Sequence, residues 1–290
     1  MKVLVVWWVT CLIWSTVWLA IKLGVTDVPP FGFAASRLAI AIAVLAIVWI
    51  GRARHPPLAR RDLRLIAASG VLVLGVNYGF LYWGAQYISS GLTAVLQATT
   101  PLFGLAIGHY VFKDDRITPS RVTALGLGMA GVILIFSNQT QLGGRYQAAG
   151  AAAVVISAAS VACGYAIVGR YLTRIDPTRV MAGQMTSALL VLLPLALMRE
   201  GNPLAQPWTR TAIASLLYLT FAGSIAAFWM NYWLLRHMST TNVLMMSIVE
   251  PMLATMIGAI VLHESLSTSA IAGSACILLS AGLALRARAR

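Results

Sequence analysis

Ten long apolar stretches follow one another along the chain, separated by short polar connections. Each holds about 20 residues, the length that a helix needs to cross the hydrocarbon core of a bilayer. They predict helices over the approximate ranges 3–21, 31–51, 65–85, 91–112, 119–136, 147–169, 178–198, 211–234, 241–262 and 269–285. The stretches are too long for barrel strands and do not alternate apolar with polar residues. The pattern therefore predicts an all-α integral membrane protein with ten transmembrane helices.

The composition agrees with a membrane protein and argues against other classes. Only 10% of the 290 residues are charged and 59% are hydrophobic, whereas roughly 25% of a soluble domain is charged. The net charge of +13 comes from basic residues in short clusters between apolar stretches, not on one helix or strip as in a nucleic-acid-binding protein. The spacing of Cys11, Cys163 and Cys276 forms neither a disulfide framework nor a zinc motif. We expect no nucleic-acid partner, metal or cofactor.

Lysine and arginine fall mainly on one side of the predicted helices. If the N-terminus is cytoplasmic, the outer side holds Lys22, Arg145, Arg199 and Arg210. Arg37 lies within the second helix, and the other 16 of the 21 basic residues lie on the inner side. Because basic residues are enriched in cytoplasmic loops, we predict that both termini are cytoplasmic.

The two halves of the chain resemble each other at an offset of 150 residues. Matching residues are Tyr82-Trp83 with Tyr232-Trp233, Ser89 with Ser239, Pro101 with Pro251, Gly104 with Ala254, Gly108 with Gly258, and Asp114 with Glu264. Each half has five predicted helices, so the second half enters the membrane from the opposite face. We predict two inverted five-helix repeats, 1–146 and 147–290, with a substrate site near the midplane between them, as in many secondary transporters.

Several motifs together resemble one transporter family. They are Trp14-Ser15-Thr16, Arg37, Pro101 with Gly104 and Gly108, Glu250-Pro251-Met252-Leu253-Ala254, and Leu262-His263-Glu264-Ser265-Leu266. The chain resembles the drug/metabolite transporter superfamily over nearly its whole length, in the ten-helix exporter branch with two EamA-type repeats. Within that branch it is most similar to aromatic amino acid exporters. One departure is Lys113-Asp114-Asp115, where the family's first repeat more often has a glutamate.

The resemblance implies a secondary transporter of the cell inner membrane. It would export amino acids, aromatic or other apolar ones, and related small metabolites by alternating access. Its partners would be a small-molecule substrate and the lipid bilayer, and a monomer is a plausible working form. No GxxxxGK[ST] motif is present in the chain, so ATP hydrolysis within this chain is not the expected energy source.

Polar and aromatic residues inside the predicted helices are candidate substrate-binding groups. Amides and hydroxyls suit the charged ends of a zwitterion, and aromatic rings suit its apolar body. The candidates are Trp14, Trp18, Asn77, Tyr78, Tyr82, Gln97, Tyr165, Gln184, Asn231 and Tyr232. Because Trp and Tyr near helix ends also form interfacial belts, Tyr82 and Tyr232 fit either interpretation.

Two prolines are candidate hinge or gating residues. Proline leaves the carbonyl four residues earlier without its helical partner, so Pro101 frees that of Gln97 and Pro251 that of Ser247. Such carbonyls must face protein or a wet cavity. Kinks of this kind also serve packing alone, and the two interpretations are compatible.

Arg37 and Glu250 are the two predicted intramembrane charges. Each costs about 2.5–3.5 kcal/mol at membrane depth, so each should face a cavity or a partner. They could pair with each other, Glu250 could carry a proton, or Glu250 could shape its helix and polarise the cavity.

Two other functions compete with amino acid export. One is a proton-coupled exporter of cationic drugs in which Glu250 is the exchangeable acid. A remote alternative is an intramembrane enzyme, but Asp114-Asp115 and His263-Glu264 do not extend to a catalytic spacing such as HExxH. We therefore predict a transporter and not an enzyme.

Overall fold

The computed structural model describes residues 2–50, 57–85, 87–88, 90–113, 117–135, 146–262 and 268–286, whose regular secondary structure is entirely helical. The helices group into ten consecutive rods in this part of the chain. In the first half they are α1 (Lys2–Gly24), α2 (Pro30–Ile50), α3 (Arg60–Gly70, Val71–Val76 and Asn77–Ala85), α4 (Ser90–Gln97, Thr100–Ala106 and Ile107–Phe112) and α5 (Pro119–Ile135). In the second half they are α6 (Gln147–Ile167 and Val168–Leu172), α7 (Pro177–Arg199), α8 (Arg210–Tyr218, Leu219–Ala226 and Ala227–Leu234), α9 (Thr240–Leu244 and Met246–Leu262) and α10 (Thr268–Arg286). The predicted all-α fold is confirmed.

Six stretches of the described residues are long and apolar enough to cross a membrane by length and composition. They are Pro30–Ile47, Arg60–Gly84, Thr93–Phe112, Gln147–Leu172, Pro177–Arg199 and Arg210–Leu234. Shorter apolar helices cover Lys2–Val17, Pro119–Ile135 and Thr268–Ala284. Helices are expected here because a bilayer offers no partner to the backbone, so each spanning segment must satisfy its own N–H and C=O groups.

Local chemistry fixes where several rods begin. α2, α5 and α7 each start on a proline, whose missing N–H costs nothing in the first turn of a helix. α7 and α8 are also capped by side chains. Asp176 accepts a hydrogen bond from Thr178 N at 2.9 Å, and Thr209 Oγ1 accepts one from Ala212 N at 3.1 Å. These caps satisfy backbone donors that a helix leaves open at its N-terminus.

Helices of the two halves interlock instead of forming separate bundles. α1 packs against α8 and α9, and α6 correspondingly packs against α3 and α4. α2 packs against α8 as α7 packs against α3, while α2 with α7 and α5 with α10 form pairs of corresponding rods. Contacts therefore recur when the halves are exchanged. The main hydrophobic core draws on both halves, from Trp7 and Leu38 to Met185 and Ile248.

Polar contacts tie the two halves together at the rod ends. Glu200, at the end of α7, accepts hydrogen bonds from the backbone N–H groups of Phe31 at 3.0 Å and Gly32 at 2.7 Å, in the first turn of α2. Elsewhere, Arg174 of the α6–α7 connection forms an ion pair with the buried Asp62 of α3. These charges therefore lie near rod ends, outside the apolar centre of the bundle.

Candidate functional site

A cavity of about 480 Å³ lies between the two halves. Rods α1 to α4 of the first half and α6, α8 and α9 of the second half form its wall. The lining residues are Trp14, Val17, Ile21, Arg37, Val73, Leu74, Asn77, Tyr78, Leu81, Tyr82, Thr93, Ala94, Gln97, Thr100, Val161, Tyr165, Phe228, Asn231, Val243, Leu244, Met246, Ser247, Glu250, Pro251 and Ala254. Its volume lies within the range of roughly 300–1,000 Å³ found for small-molecule sites.

Corresponding positions of the two halves line this cavity together. Six pairs of lining residues are separated by 150 positions: Tyr78 and Phe228, Leu81 and Asn231, Thr93 and Val243, Ala94 and Leu244, Gln97 and Ser247, and Thr100 and Glu250. The chemistry of some pairs is unequal, because Leu81 corresponds to the polar Asn231 and the polar Thr93 corresponds to Val243. The wall is thus symmetric in backbone position and asymmetric in polarity.

Two amide side chains of the first half are held by one serine of the second. Ser157 Oγ of α6 donates to Asn77 Oδ1 at 2.6 Å, and Gln97 Nε2 donates to Ser157 Oγ at 2.8 Å. Asn77 Nδ2 in turn donates to Val73 O at 3.1 Å. The predicted residues Asn77 and Gln97 therefore meet at the wall. Ser157 was not among the predicted residues. The only feature of the sequence that could have indicated it is a hydroxyl within an apolar stretch.

Arg37 and Trp14 both contact an irregular segment of α8. Arg37 Nε donates to Ser224 Oγ at 2.7 Å, and Trp14 Nε1 donates to Gly223 O at 3.4 Å. Both acceptors belong to the π-helical segment Leu219–Ala226. A second π-helical segment, Val71–Val76, occupies the corresponding part of α3. π-helical turns are frequent at functional sites because the wider turn redirects backbone and side-chain groups.

Aromatic rings form the apolar surfaces of the cavity. Tyr78 and Tyr82 stack with ring centroids 5.5 Å apart, and Phe31 packs beside Tyr82 at 6.3 Å. Trp14 meets Phe228 edge to face at 5.7 Å. Apart from Phe31, these rings line the same cavity as Arg37, Glu250 and the amide groups, so one ligand could contact charged, polar and aromatic groups together.

Gln184 and Tyr232 lie behind the wall and are not part of it. The Tyr232 hydroxyl donates to Gln184 Oε1, and Gln184 Nε2 donates to Ser69 Oγ at 2.7 Å. All three residues are buried. Tyr165 reaches the cavity and packs against Tyr232 with ring centroids 6.3 Å apart. The chain of hydrogen bonds therefore supports the wall by linking α8, α7 and α3.

The two prolines differ in their surroundings. α4 breaks between Gln97 and Thr100, one turn before Pro101, and Thr100 Oγ1 donates at 2.6 Å to the carbonyl of Gln97, the one that the proline leaves open. Pro251 lies inside a continuous helix, and α9 breaks earlier, at Met245. Pro251 lines the cavity, whereas Pro101 is buried. The matched bends expected from the sequence are therefore unequal, and a hinge role stays a prediction for both.

Glu250 lies on the cavity wall at the centre of α9. Pairing between Glu250 and Arg37 stays a prediction, although both residues line the same cavity. The side chain of Trp18 and the residues Asp114 and Glu264 lie outside the described residues.

Comparison with known proteins decides the family. The model of the EamA-like transporter family matches twice, over residues 1–137 and 148–286. The chain belongs to the EamA-like transporter family. It is therefore a multi-pass membrane protein with two EamA-type regions, and the predicted membership of the drug/metabolite transporter superfamily is confirmed.

Individual relatives of this EamA-like transporter cover most of both chains. The chain is 30% identical to the "Uncharacterized inner membrane transporter YedA" of Escherichia coli K12, over 88% of this chain and 81% of that protein. It is 26% identical to a "Probable amino-acid metabolite efflux pump" of Salmonella typhimurium LT2, over 93% and 90%. A solved structure, described only as "Crystal structure of protein", matches with a TM-score of 0.81 at 18% identity, over 99% and 98%. That last similarity supports the fold alone.

Proposed function

We propose that this EamA-like transporter exports amino acids, aromatic or other apolar ones, and related small metabolites across the inner membrane by alternating access. The observation that carries the proposal is the cavity between the halves, which presents Arg37, Glu250, amide groups and aromatic rings together. An amino acid has one positive and one negative group beside its side chain. Such a wall can complement all three parts, because it offers a guanidinium, a carboxylate, amides and aromatic rings within one cavity.

The proposal includes a membrane arrangement. All ten rods cross the membrane, both termini are cytoplasmic, and 1–146 and 147–290 are inverted repeats. Three observations support it: the two EamA-type regions, the recurrence of helix contacts when the halves are exchanged, and the wall residues matched at an offset of 150. Inverted repeats that meet at a central site are the usual framework for alternating access.

Sided labelling tests this arrangement. Single cysteines at Gly143 and Asn202 should react with an impermeant thiol reagent added outside intact cells, and cysteines at Ala59 and Ala289 only after the inner face is exposed. The distribution of basic residues is the reason for this expectation. Labelling of positions 143 and 59 from the same face would contradict the ten-helix arrangement.

Counterflow in proteoliposomes tests the substrate class. Vesicles loaded with unlabelled phenylalanine should accumulate labelled phenylalanine when they contain the protein, and empty vesicles should not. A panel of other amino acids and of organic cations gives the selectivity. Transport of organic cations without any transport of amino acids would overturn the proposal.

A second candidate is a proton-coupled exporter of cationic drugs. It is favoured by one observation, that the carboxylate-bearing Glu250 lines the cavity. Glu250→Gln separates the two functions, because the amide keeps the shape of the side chain and cannot carry a proton. If the substrate is a zwitterion that moves down its gradient, the variant should keep substantial counterflow at neutral pH. If Glu250 exchanges a proton for a cation, pH-driven transport should be lost.

A further inference from the structure

Asn231 has an unusual position in the cavity wall. Its side chain is fully buried, with a relative exposure of 0%, and it lines the cavity. Among the described residues, neither its Nδ2 nor its Oδ1 has a hydrogen-bond partner. The neighbouring Tyr232 differs, because its hydroxyl is bonded to Gln184. Buried polar groups are almost always paired in proteins, so this amide is poised to bind something that enters the cavity.

Asn77 lies in the same wall, and both ends of its side-chain amide form hydrogen bonds. Its Nδ2 donates to Val73 O at 3.1 Å, and its Oδ1 accepts from Ser157 at 2.6 Å. The first-half residue that corresponds to Asn231 at the offset of 150 is Leu81, which also lines the cavity. In the described part of the wall, the unpartnered amide therefore occurs only in the second half, although both halves contribute lining residues at corresponding positions.

The amide of Asn231 defines the chemistry of its partner. A side-chain amide offers two N–H donors and one oxygen acceptor. A ligand that satisfies both ends must carry an acceptor and a donor close together. The carboxylate and ammonium groups of an α-amino acid are separated by one carbon and meet this condition. A lone organic cation supplies a donor only, and a lone carboxylate supplies an acceptor only.

The surroundings of Asn231 suit the rest of such a molecule. Phe228 lies three residues earlier on α8, on the same helix face, and Trp14 packs against it edge to face. Both rings line the cavity beside the amide. An apolar side chain could lie against them while the polar end reaches Asn231.

We infer, on the basis of the proposed function, that Asn231 is a residue of this wall that binds both the α-amino and the α-carboxylate group of the substrate. Its Nδ2 donates to the carboxylate and its Oδ1 accepts from the ammonium group. Because Leu81 offers no equivalent amide, the substrate enters in one orientation, with its polar end toward α8. Selectivity for complete amino acids over their amine or acid analogues follows from this pairing.

The experiment measures binding and transport separately. Equilibrium dialysis of detergent-purified protein gives the affinity for labelled phenylalanine, with phenethylamine and 3-phenylpropanoate as competitors that lack the carboxylate or the ammonium group. Wild-type protein should bind phenylalanine at least roughly tenfold more tightly than either analogue, as expected when one charged group loses its hydrogen-bond partner. Asn231→Leu should weaken phenylalanine binding roughly 10- to 100-fold and bring the three affinities together.

Asn231→Asp is a second variant that keeps the inference testable if Asn231→Leu does not fold. It keeps the shape of the side chain, replaces the donor with an acceptor and adds a negative charge. It should therefore lose affinity for phenylalanine and gain affinity for phenethylamine, a gain that an unfolded protein cannot show. Wild-type affinity and wild-type discrimination in both variants would overturn the inference.

The outcomes separate the inference from the proposed function. If wild-type protein binds phenylalanine but shows no counterflow, the transport proposal fails and the role of Asn231 is decided by the binding data. If wild-type protein transports phenylalanine and Asn231→Leu binds it normally, the inference alone fails. If wild-type protein binds no amino acid, both fail.

Discussion

Replacement of Gly131 by alanine should push α5 and α10 apart. The two rods lie against each other where Gly131 faces Gly273. A Cβ atom on Gly131 would lie 2.6 Å from the backbone oxygen of Gly273 and 2.7 Å from Cγ1 of Ile277. Such contacts are too short, and a backbone oxygen cannot rotate away as a side chain can, so the rods must separate. Small residues allow this kind of close approach between membrane helices.

The expected magnitude follows from two opposing effects. Overpacking a tight interface costs about 1–3 kcal/mol, while replacing glycine by alanine within a helix recovers up to about 1 kcal/mol. We therefore expect Gly131→Ala to lower the free energy of unfolding by about 1–2 kcal/mol. The readout is the midpoint of thermal unfolding in detergent, followed by intrinsic fluorescence.

Gly126→Ala is the matched control on the same rod. Gly126 is exposed, and a Cβ atom there would meet nothing within 4 Å. This variant gains helix propensity without a clash, so its midpoint should equal or exceed that of the wild type. If both variants unfold at the same temperature, the close contact between α5 and α10 is wrong.

Two further predictions concern the cavity wall and its support. Ser157→Ala removes the hydroxyl that joins Asn77 to Gln97, so KM for phenylalanine counterflow should rise roughly three- to tenfold. An unchanged KM would show that these two amides do not contribute to substrate binding. Gln184→Leu and Tyr232→Phe each leave a buried polar partner unpaired, at a cost of about 1–3 kcal/mol of stability. The stability that the double variant loses should be about 1 kcal/mol smaller than the sum of the losses in the two single variants. Strict additivity in unfolding experiments would contradict the hydrogen bond between Gln184 and Tyr232.

Helix positions were predictable from sequence because the bilayer leaves the backbone little choice. A run of about 20 apolar residues must satisfy its own hydrogen bonds and therefore becomes a helix. α2 and α7 illustrate this, since the ranges predicted, 31–51 and 178–198, differ from Pro30–Ile50 and Pro177–Arg199 by one residue at each end. The repeat at an offset of 150 residues is also visible in the structure, because residues related by it, such as Gln97 and Ser247, line the same cavity.

The direction in which each side chain points was less predictable. Gln184 and Tyr232 are polar residues in apolar rods, as are Asn77 and Asn231, yet the first two bond to each other behind the wall. Sequence gives the type of residue and its depth, whereas helix rotation depends on packing against all neighbours. The π-helical segments of α3 and α8 add to this, because a wider turn changes the angular position of every residue that follows.

The serine partners illustrate a second difficulty. Ser157 and Ser224 hold Gln97 and Arg37 in place, but small hydroxyls are common in membrane helices and often bond to their own backbone. Only the fold brings these hydroxyls to long side chains from the other half. Asn231 could be predicted as a cavity residue, but the absence of a partner for its amide among the described residues required the structure.

A cysteine at Ser247 tests most directly whether this cavity is the substrate site of an alternating-access exporter. Ser247 lines the cavity, and cysteine is close to serine in shape. On a background without the three native cysteines, the account predicts that Ser247→Cys reacts with an impermeant thiol reagent from either face of sided membrane vesicles, and that phenylalanine slows both reactions. A protein that retains only the buried Cys11 is the control and should stay unlabelled. Labelling of Ser247→Cys from one face only, at a rate that transported amino acids do not change, would contradict the account.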